Sequence, residues 1–308
     1  MKYDLAIIGG GPAGVAAGVY AARKKLKTVV IAESFGGQSV VSENIENWIG
    51  TPNISGLDLA KSLKNHLEYY SKDILDIKEG EKVDNIEKKD GGFVLLTSKE
   101  SYEAKTILIA TGSHRKKLQV PGADKFEHKG VTYCASCDGP IFEGKDVVVV
   151  GGGNAGFESA SQLLAYCKSV TLLHKNEDFN KADPVTVKKV LSNPKMKAIL
   201  NAEILEVRGD KFVEMIVYKN KETGDKVELP TAGIFVEIGS VPTTYFASHL
   251  VKMTESNSIV VDPRNQKTSC NGVWAAGDCT DGLYHQNNIA AGDAVRALED
   301  IYYYLNAR

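Results

Sequence analysis

The feature that most constrains this chain is a strand-loop-helix pattern that occurs twice with the same glycine spacing. The first copy is an apolar run over residues 5–8 followed by Gly9, Gly11 and Gly14, and the second is a valine run over residues 147–150 followed by Gly151-Gly-Gly153-Asn-Ala-Gly156. Each copy predicts a short buried strand, a tight turn and a helix of small residues. In that context the spacing indicates a dinucleotide site, because the glycines permit the turn, the approach of a pyrophosphate and the packing of helix on strand. A glycine turn of an ordinary α/β domain explains one copy but explains two poorly. The sequence therefore predicts two bound dinucleotides.

The two copies continue differently, which predicts that they bind different dinucleotides. After the first, residues 27–32 form a second predicted strand that ends at Glu33, about 20 residues beyond the glycines, where a carboxylate can hold ribose hydroxyls. After the second, the strand over residues 169–173 is followed by His174 and Lys175, with no acid at its end.

Two further strand ends favour a flavin at the first site. The segments 106–112 and 272–278 each read as a strand that ends in small residues, and beside two nucleotide sites they suggest the strands that enclose a flavin. The last helix, predicted over residues 289–305, would direct its positive N-terminus at the cofactor and favour the anionic reduced flavin. Gln286, Asn287 and Asn288 precede this helix and could hydrogen-bond the ring edge, while Asp278 is available to the ribityl or pyrophosphate portion.

One C-x-x-C, formed by Cys134 and Cys137, lies just before the second glycine loop. No second pair of cysteines or histidines has the spacing of a zinc site, which argues against a structural metal. Inert thiols remain an alternative, but the spacing favours a redox disulfide, since it closes a small loop and can lower a thiol pKa. Asp138 could serve as acid or base, or could simply form a turn with Gly139 and Pro140. The other cysteines are expected to be small core residues: Cys167, Cys270 and Cys279.

Composition excludes several function classes. The net charge of −2 and a pI of about 6.3 argue against a nucleic-acid-binding protein, and five cysteines are too few for a disulfide scaffold. We expect neither a signal peptide nor a membrane span, because the N-terminal apolar run covers only residues 5–8 and no apolar run reaches membrane-spanning length. A length of 308 residues suggests roughly two domains. We therefore expect a cytoplasmic protein of two domains that binds neither nucleic acid nor membrane.

The order of the motifs along the whole chain resembles the low-molecular-weight thioredoxin reductases. The matching motifs are Gly9-x-Gly11-x-x-Gly14, Gly36-Gly37-Gln38, Glu46-Asn47-Trp48, Ala110-Thr111-Gly112, Cys134-Ala-Ser-Cys137-Asp138-Gly139, Gly151-Gly-Gly153-Asn154-Ala155 and Ala276-Gly277-Asp278. Three stretches, over residues 130–134, 137–142 and 232–236, are more similar to the flavoprotein subunit of alkyl hydroperoxide reductase, a sister in the same family. We expect this chain to lack the N-terminal thioredoxin-like portion of that flavoprotein.

The resemblance implies an α/β fold of two Rossmann-like domains, the second inserted in the first. Residues 1–115 and 243–308 would form a discontinuous FAD domain, and residues 116–242 the NAD(P)H domain that carries the redox pair. Cys137 would face the flavin, Cys134 would attack the partner's disulfide, and Asp138 would be the acid/base. The inserted domain would rotate to present either the nicotinamide or the disulfide to the flavin. The implied FAD contacts are Gly9, Gly11, Pro12, Ala13, Gly14, Glu33, Gly37, Gln38, Asn47, Ala110, Thr111, Gly112, Gly277, Asp278 and Gln286. The implied NAD(P)H contacts are Gly151, Gly153, Asn154, Ala155, His174 and Lys175.

One departure from the family pattern concerns the electron donor. Members that use NADPH typically place His-Arg-Arg and a further Arg after the second strand of the inserted domain to clamp the 2′-phosphate. Here the stretch over residues 174–181 retains only Lys175 and Lys181 as cations, and lysine lacks the bidentate fork of arginine. The acid that would favour NADH is absent as well. The donor therefore stays open between NADH and NADPH, with a slight tilt toward NADH.

The resemblance leads to a flavin-dependent disulfide reductase whose partner is thioredoxin or a similar thioredoxin-like or glutaredoxin-like protein. A reductase of a peroxiredoxin or glutaredoxin-like carrier is the alternative. A ferredoxin–NADP reductase on the same scaffold would lack Cys134 and Cys137. A flavoprotein without catalytic activity is a fourth hypothesis, since a scaffold can outlive its activity. The family also implies a homodimer, and the sequence indicates no bound metal.

Overall fold

The computed structural model describes residues 2–42, 45–71, 74–180 and 182–306. Lys181, one of the two lysines considered for phosphate binding, lies outside these ranges. The strands are β1 (Lys2–Gly10), β2 (Thr28–Phe35), β3 (Leu75–Glu79), β4 (Val83–Lys89), β5 (Gly92–Thr97), β6 (Ser101–Ile109), β7 (Ser113–Arg115), β8 (Val131–Thr132), β9 (Asp146–Val150), β10 (Ser169–Leu173), β11 (Met196–Ile199), β12 (Ala202–Gly209), β13 (Val213–Asn220), β14 (Lys226–Pro230), β15 (Gly233–Val236), β16 (Ser240–Pro242) and β17 (Val273–Ala275). The helices are α1 (Pro12–Arg23), α2 (Gly56–Tyr69), α3 (Ala135–Asp138), α4 (Asn154–Leu163), α5 (Pro184–Leu191) and α6 (Asn287–Asn306).

The chain divides into two compact units, one of them inserted in the other. The discontinuous unit comprises Met1–His114 and Val241–Arg308, and the inserted unit comprises Arg115–Ser240. This division matches the predicted fold class of two α/β domains with the second inserted in the first. The inserted unit begins one residue before the expected position 116 and ends two residues before the expected position 242.

The discontinuous unit is built on a mixed sheet whose parallel part positions the first glycine loop. Among the described residues the strands run in the order β3-β2-β1-β6-β5-β4, and β17 also pairs with β6. β3, β2, β1, β6 and β17 are parallel, whereas β4 and β5 pair antiparallel beside β6. β1 lies at the centre, so the loop that follows it opens at the carboxyl edge of a parallel sheet, where such folds bind nucleotides.

The inserted unit repeats this plan on a smaller scale. Its described strands form a parallel sheet in the order β11-β10-β9-β15-β8, accompanied by an antiparallel sheet of β12, β13 and β14. The second glycine loop follows β9, which again lies at the centre of the sheet.

Both central strands, β1 and β9, are buried on both faces, as expected for parallel sheets whose two faces are covered by other segments of the same polypeptide. In β1, Leu5 and Ile7 pack into the core that contains α1 and α6, while Ala6 and Ile8 pack into the core on the opposite face. The valines of β9 alternate between two cores in the same way. The continuous apolar runs before the two glycine loops are therefore explained by this two-sided burial.

The segment after the cysteine pair differs from the expectation of a simple turn. Asp138 is the last residue of α3, and the chain continues directly into a 3₁₀ helix over Gly139–Phe142. Pro140 fits there because the first turn of a helix does not need its missing N–H.

No helix among the described residues has the length and apolarity that crossing a bilayer requires.

Candidate functional site

The three glycines of the first loop meet different constraints. Gly9 has φ +120°, and a Cβ there would lie 2.2 Å from the carbonyl oxygen of Ala110. A Cβ on Gly14 would lie 1.9 Å from the carbonyl oxygen of Gly9, so this glycine allows α1 to pack against β1. A Cβ on Gly11 would meet no described atom closer than 3.8 Å. The fold itself therefore requires Gly9 and Gly14, whereas the space above Gly11 is left open.

A cavity at the carboxyl edge of β1 gathers most of the residues predicted to contact FAD. Those that line it are Gly9, Gly11, Pro12, Ala13, Glu33, Gly37, Gln38, Ala110, Thr111, Gly112, Gly277 and Asp278. Gly14, Asn47 and Gln286 do not line this cavity. Gly14 lies behind the loop, as the close packing of its Cα requires.

Asn47 and Gln286 are nevertheless brought together. The Asn47 side-chain amide donates to Oε1 of Gln286 at 3.2 Å, and the Asn288 side chain donates to the carbonyl oxygen of Asn47 at 2.7 Å. Asn287, which does line the cavity, accepts a hydrogen bond from the Ser39 hydroxyl at 2.8 Å. These bonds hold the start of α6 against Ser39 and Asn47 beside the cavity.

The cavity lining also includes charged residues that the sequence did not single out, Glu81 and Lys82. Glu33 lies at the end of β2, and the cavity wall near it includes Glu81 and Lys82. Glu81 is buried and accepts hydrogen bonds from the hydroxyls of Tyr102 and Thr97. A hydrogen bond with Tyr245 raises the pKa of Lys82, with a smaller contribution from the charge of Glu33. No local pattern marks these residues, because the turn between β3 and β4 that contains Glu81 and Lys82 and the 3₁₀ turn that contains Tyr245 are far from β2 in sequence.

The C-x-x-C of the inserted unit forms a disulfide between Cys134 and Cys137, whose Cα atoms are 5.3 Å apart. Cys134 caps the N-terminus of α3, and the backbone N–H of Cys137 donates to its Sγ at 3.2 Å. Both cysteines are half-buried. A hydrogen bond to sulfur favours its anionic form, so this geometry would stabilise a thiolate on Cys134 after reduction.

Asp138 is held beside this disulfide by a threonine. The Thr132 hydroxyl donates to Oδ2 of Asp138 and lies 3.4 Å from the backbone nitrogen of Cys134. Thr132 is buried at the end of β8 and Asp138 is half-buried. The carboxylate therefore has a fixed orientation one residue from Cys137. Sequence reasoning missed Thr132, although it lies only two residues before the first cysteine.

The second glycine loop reproduces the geometry of the first. Gly151 has φ +123°, and a Cβ there would lie 2.2 Å from the carbonyl oxygen of Glu237. A Cβ on Gly156 would lie 1.9 Å from the carbonyl oxygen of Gly151, whereas one on Gly153 would meet no described atom within 4 Å. Asn154 and Ala155 open α4 and are exposed. Again the middle glycine faces open space at the N-terminus of a helix.

His174 and Lys175 lie at the end of β10, but they serve different purposes. Nδ1 of His174 accepts a hydrogen bond from the backbone N–H of Gly152 at 3.1 Å, and burial lowers the pKa of this imidazole. Its ring also packs against that of Phe179. His174 therefore supports the glycine loop through the hydrogen bond to Gly152. Lys175 is exposed, and its carbonyl oxygen accepts a hydrogen bond from Lys221 at 2.9 Å. Lys221, on the β13–β14 turn, was not foreseen from sequence.

The remaining cysteines are buried thiols, and among the described residues no group of three or more His, Cys, Asp or Glu side chains could hold a metal. Burial raises the pKa of Cys167 and of Cys279 to about 11 in each case, and it also raises the pKa of Cys270. Thiols of this kind are unreactive at neutral pH. Among the described cysteines, the pair that can undergo redox chemistry is therefore the C-x-x-C.

Solved structures of similar fold cover the whole chain. A thioredoxin reductase from Streptococcus pyogenes superposes with a TM-score of 0.89 at 33% identity, covering 100% of this chain and 99% of that one. A thioredoxin reductase from Giardia duodenalis gives a TM-score of 0.90 at 33% identity, with 99% of both chains covered. The predicted resemblance to low-molecular-weight thioredoxin reductases is thereby confirmed.

Curated relatives are more similar in sequence but longer. A Bacillus subtilis protein described as NADH dehydrogenase is 39% identical over 303 residues, and the alkyl hydroperoxide reductase F protein of Escherichia coli is 39% identical over 305. Each match covers 98% of this chain but 58% of the relative. The model of the pyridine nucleotide-disulphide oxidoreductase family matches residues 3–294. The chain thus belongs to the pyridine nucleotide-disulphide oxidoreductase family.

Proposed function

We propose that this chain is an FAD-dependent disulfide reductase that passes electrons from NADH or NADPH to a small dithiol protein. The observation that carries the proposal is the disulfide between Cys134 and Cys137, which lies in the same unit as the second glycine loop. The discontinuous unit contains the first glycine loop, which has the same geometry. Membership of the pyridine nucleotide-disulphide oxidoreductase family supports a function that combines two dinucleotide sites with a redox disulfide.

The cavity of the discontinuous unit fits the requirements of FAD. No side chain caps α1 among the described residues, so its first backbone N–H groups are left to bind a pyrophosphate. The open space at Gly11 lets the phosphates approach, and Glu33 is placed to accept hydrogen bonds from ribose hydroxyls. Gly37, Gln38, Ala110, Thr111, Gly112, Gly277 and Asp278 would line the remainder of the cofactor. Asn47 and Gln286, which hydrogen-bond to each other, would contact its ring edge from the start of α6.

The inserted unit fits a nicotinamide dinucleotide for the same reasons. α4 has no side-chain cap among the described residues, and Gly153 leaves its N-terminus open. Asn154 and Ala155 would contribute first-turn N–H groups to the pyrophosphate. A disulfide does not readily accept a hydride directly. FAD, when bound, would take up the hydride and pass the electron pair on to the disulfide.

The cysteines would then carry out a balanced exchange. Two electrons break the Cys134–Cys137 bond, and uptake of protons yields two thiols. The Cys134 thiolate attacks a disulfide of the partner, forming a mixed disulfide and expelling one partner thiol. Cys137 attacks this mixed disulfide, releasing the second partner thiol and restoring the original bond. The hydrogen bond from the Cys137 backbone to Sγ of Cys134 supports Cys134 as the attacking thiolate, and Asp138 is oriented to exchange the protons.

We propose NADH as the favoured donor, with NADPH also accepted. Residues 174–180 contain no arginine, and Nδ1 of His174 is already engaged by Gly152. Lys175 and the neighbouring Lys221 offer point charges without a bidentate fork. Measurement of kcat/KM for both donors tests this preference, and a preference for NADPH of about a hundredfold or more would contradict it.

Two sets of relatives support two candidate partners. The structural neighbours described as thioredoxin reductases support thioredoxin or a thioredoxin-like or glutaredoxin-like protein. The relative named for alkyl hydroperoxide reductase supports the alternative, a peroxiredoxin or a glutaredoxin-like carrier. Parallel assays with thioredoxin, glutaredoxin and a peroxiredoxin separate the two. A homodimer and a cytoplasmic location stay predictions of the resemblance.

The Cys137→Ser variant tests the proposed function. We expect it to lose reduction of the partner while NAD(P)H still bleaches the flavin absorbance, because only the disulfide step requires Cys137. A Cys167→Ser variant is the matched control, since this thiol is buried and is not part of the disulfide. Undiminished partner reduction by Cys137→Ser would refute the proposal.

A further inference from the structure

The strand order of the inserted unit determines where the two halves of a dinucleotide would lie. The glycine loop follows β9, with β10 on one side and β15 on the other. In doubly wound sheets the dinucleotide spans the carboxyl edge at the point where strand order reverses. The adenosine half would lie over β10, where His174 and Lys175 were predicted to bind it. The nicotinamide half must then lie over the end of β15, and the first residue beyond β15 is Glu237.

Glu237 forms a buried cluster at this edge. Its side chain is only 3% exposed; Oε2 accepts a hydrogen bond from Nη1 of Arg115 at 3.2 Å, and Oε1 accepts one from the Ser159 hydroxyl at 2.7 Å. Ser159 is buried on α4, the helix that begins at the glycine loop. The Glu237 backbone also lies directly against Gly151. The cluster thus adjoins the loop that would bind the pyrophosphate.

An ion pair with a buried carboxylate does not by itself stabilise a fold. Desolvation of the carboxylate can outweigh its attraction to the guanidinium, so apolar side chains of similar volume are often as stable. Burial raises the pKa of Glu237, and the guanidinium of Arg115 and the hydroxyl of Ser159 oppose that rise. The cost of burying the carboxylate suggests that the cluster serves a purpose at the edge where it lies.

Arg115 is the member of the cluster that can reach a ligand. Its side chain is 38% exposed, and it uses one N–H group on Glu237 out of the five that a guanidinium offers. The other N–H groups suit the oxygen atoms of the nicotinamide ribose or of the carboxamide, which only the nicotinamide half of the dinucleotide contains.

We propose that Arg115 contacts the nicotinamide half of the bound dinucleotide, and that Glu237 and Ser159 are positioning residues that fix the guanidinium there. This inference rests on the proposed function, because it requires the second glycine loop to bind NADH or NADPH. It adds a residue at the β15 end of the site, opposite the Lys175 end that sequence reasoning identified.

The test compares two ligands by anaerobic calorimetric titration of the full chain, whose flavin and disulfide are reduced beforehand so that NADH binds without reacting. NADH contains both halves of the dinucleotide, whereas ADP contains the adenosine half and the pyrophosphate only. We expect Arg115→Met to raise the Kd of NADH about tenfold and to leave the Kd of ADP within about twofold. Glu237→Gln should shift the NADH value in the same direction by a smaller factor. Arg208→Met is the matched control, because Arg208 is an arginine of the same unit that pairs with Glu206 and Glu228 on another sheet.

Two results would overturn the proposal. An unchanged NADH affinity in Arg115→Met removes Arg115 from the site, and an equal loss of NADH and ADP affinity shows that the cluster merely supports the loop. If Arg115→Met does not fold, Ser159→Ala, which loses one hydrogen bond to Glu237, carries the comparison. Failure of the wild-type chain to bind either ligand would instead refute the proposed function, and this inference with it.

Discussion

The middle glycine of the second loop offers the sharpest test of the nucleotide site in the inserted unit. A Cβ at Gly153 meets no described atom within 4 Å, and the residue has φ −91°, which any amino acid can adopt. Replacing the helix N-cap glycine by alanine costs a few tenths to about 1 kcal/mol, while the less flexible unfolded chain offsets about 0.4–1 kcal/mol. We therefore expect Gly153→Ala to change the free energy of unfolding by less than about 1 kcal/mol.

The same substitution should weaken dinucleotide binding strongly. The methyl group would occupy the open space through which the pyrophosphate reaches the N-terminus of α4. Loss of one hydrogen bond to a charged phosphate is worth about 1.5–3 kcal/mol, which corresponds to a roughly 10- to 150-fold rise in the Kd of NADH. Anaerobic fluorescence titration of the previously reduced protein with NADH gives the Kd, and urea denaturation of the same preparation gives the free energy of unfolding.

Gly156→Ala is the contrasting variant. Its Cβ would lie 1.9 Å from the Gly151 carbonyl oxygen, which is 1.5 Å short of an ordinary contact of 3.4 Å. Such overpacking costs typically 1–3 kcal/mol and sometimes more, so this variant should lose stability as well as affinity. If Gly153→Ala bound NADH as tightly as the wild type, the loop would not be a pyrophosphate site and the reasoning would be refuted.

Three further predictions concern single side chains. After reduction of the native protein, iodoacetamide at about pH 8 should label the two C-x-x-C cysteines and leave Cys167, Cys270 and Cys279 unmodified, because burial raises the pKa values of these three thiols. Peptide mass spectrometry locates the label, and modification of any of the three buried cysteines would contradict the prediction. Thr132→Val should slow partner reduction about tenfold without slowing flavin reduction by NADH, because it removes the hydrogen bond that orients the Asp138 carboxylate. Thr132→Ser, which keeps the hydroxyl, should restore the rate. Equal rates of partner reduction in the two variants, measured by stopped flow, would exclude this role for Thr132. Burial lowers the pKa of His174 in the folded chain, so the unfolded chain takes up the proton first as the pH falls. Between about pH 7.5 and about pH 5.5 the wild type should therefore lose stability relative to His174→Gln. Urea unfolding midpoints of the two proteins that change in parallel over this range would contradict the prediction.

The features that could be foreseen from sequence are those that depend on local backbone geometry. Gly9 and Gly151 require positive φ, and Gly14 and Gly156 leave no room for a Cβ, so their spacing alone indicates both loops. The apolar strand before each loop is equally readable, because a parallel strand buried on both faces needs an uninterrupted apolar run.

The features that sequence could not supply depend on long-range contacts. Arg115 and Glu237 are 122 positions apart, and nothing near either residue marks the ion pair between them. His174 stays a predicted NAD(P)H contact, but the hydrogen bond that its imidazole accepts from the backbone N–H of Gly152 could not be foreseen, because the two residues are 22 positions apart. Asp138 was left between two interpretations, since its hydrogen bond with Thr132 depends on how β8 and α3 are placed.

The central claim is that FAD and the Cys134–Cys137 disulfide form one electron-transfer chain, and a count of reducing equivalents tests it most directly. Each centre takes up an electron pair, so anaerobic titration should consume about two equivalents of NADH per flavin in the wild type and about one in the Cys134→Ser, Cys137→Ser double variant. Subsequent addition of oxidised thioredoxin should restore the flavin absorbance of the wild type alone. Consumption of a single equivalent by the wild type, with no response to a disulfide partner, would contradict the account.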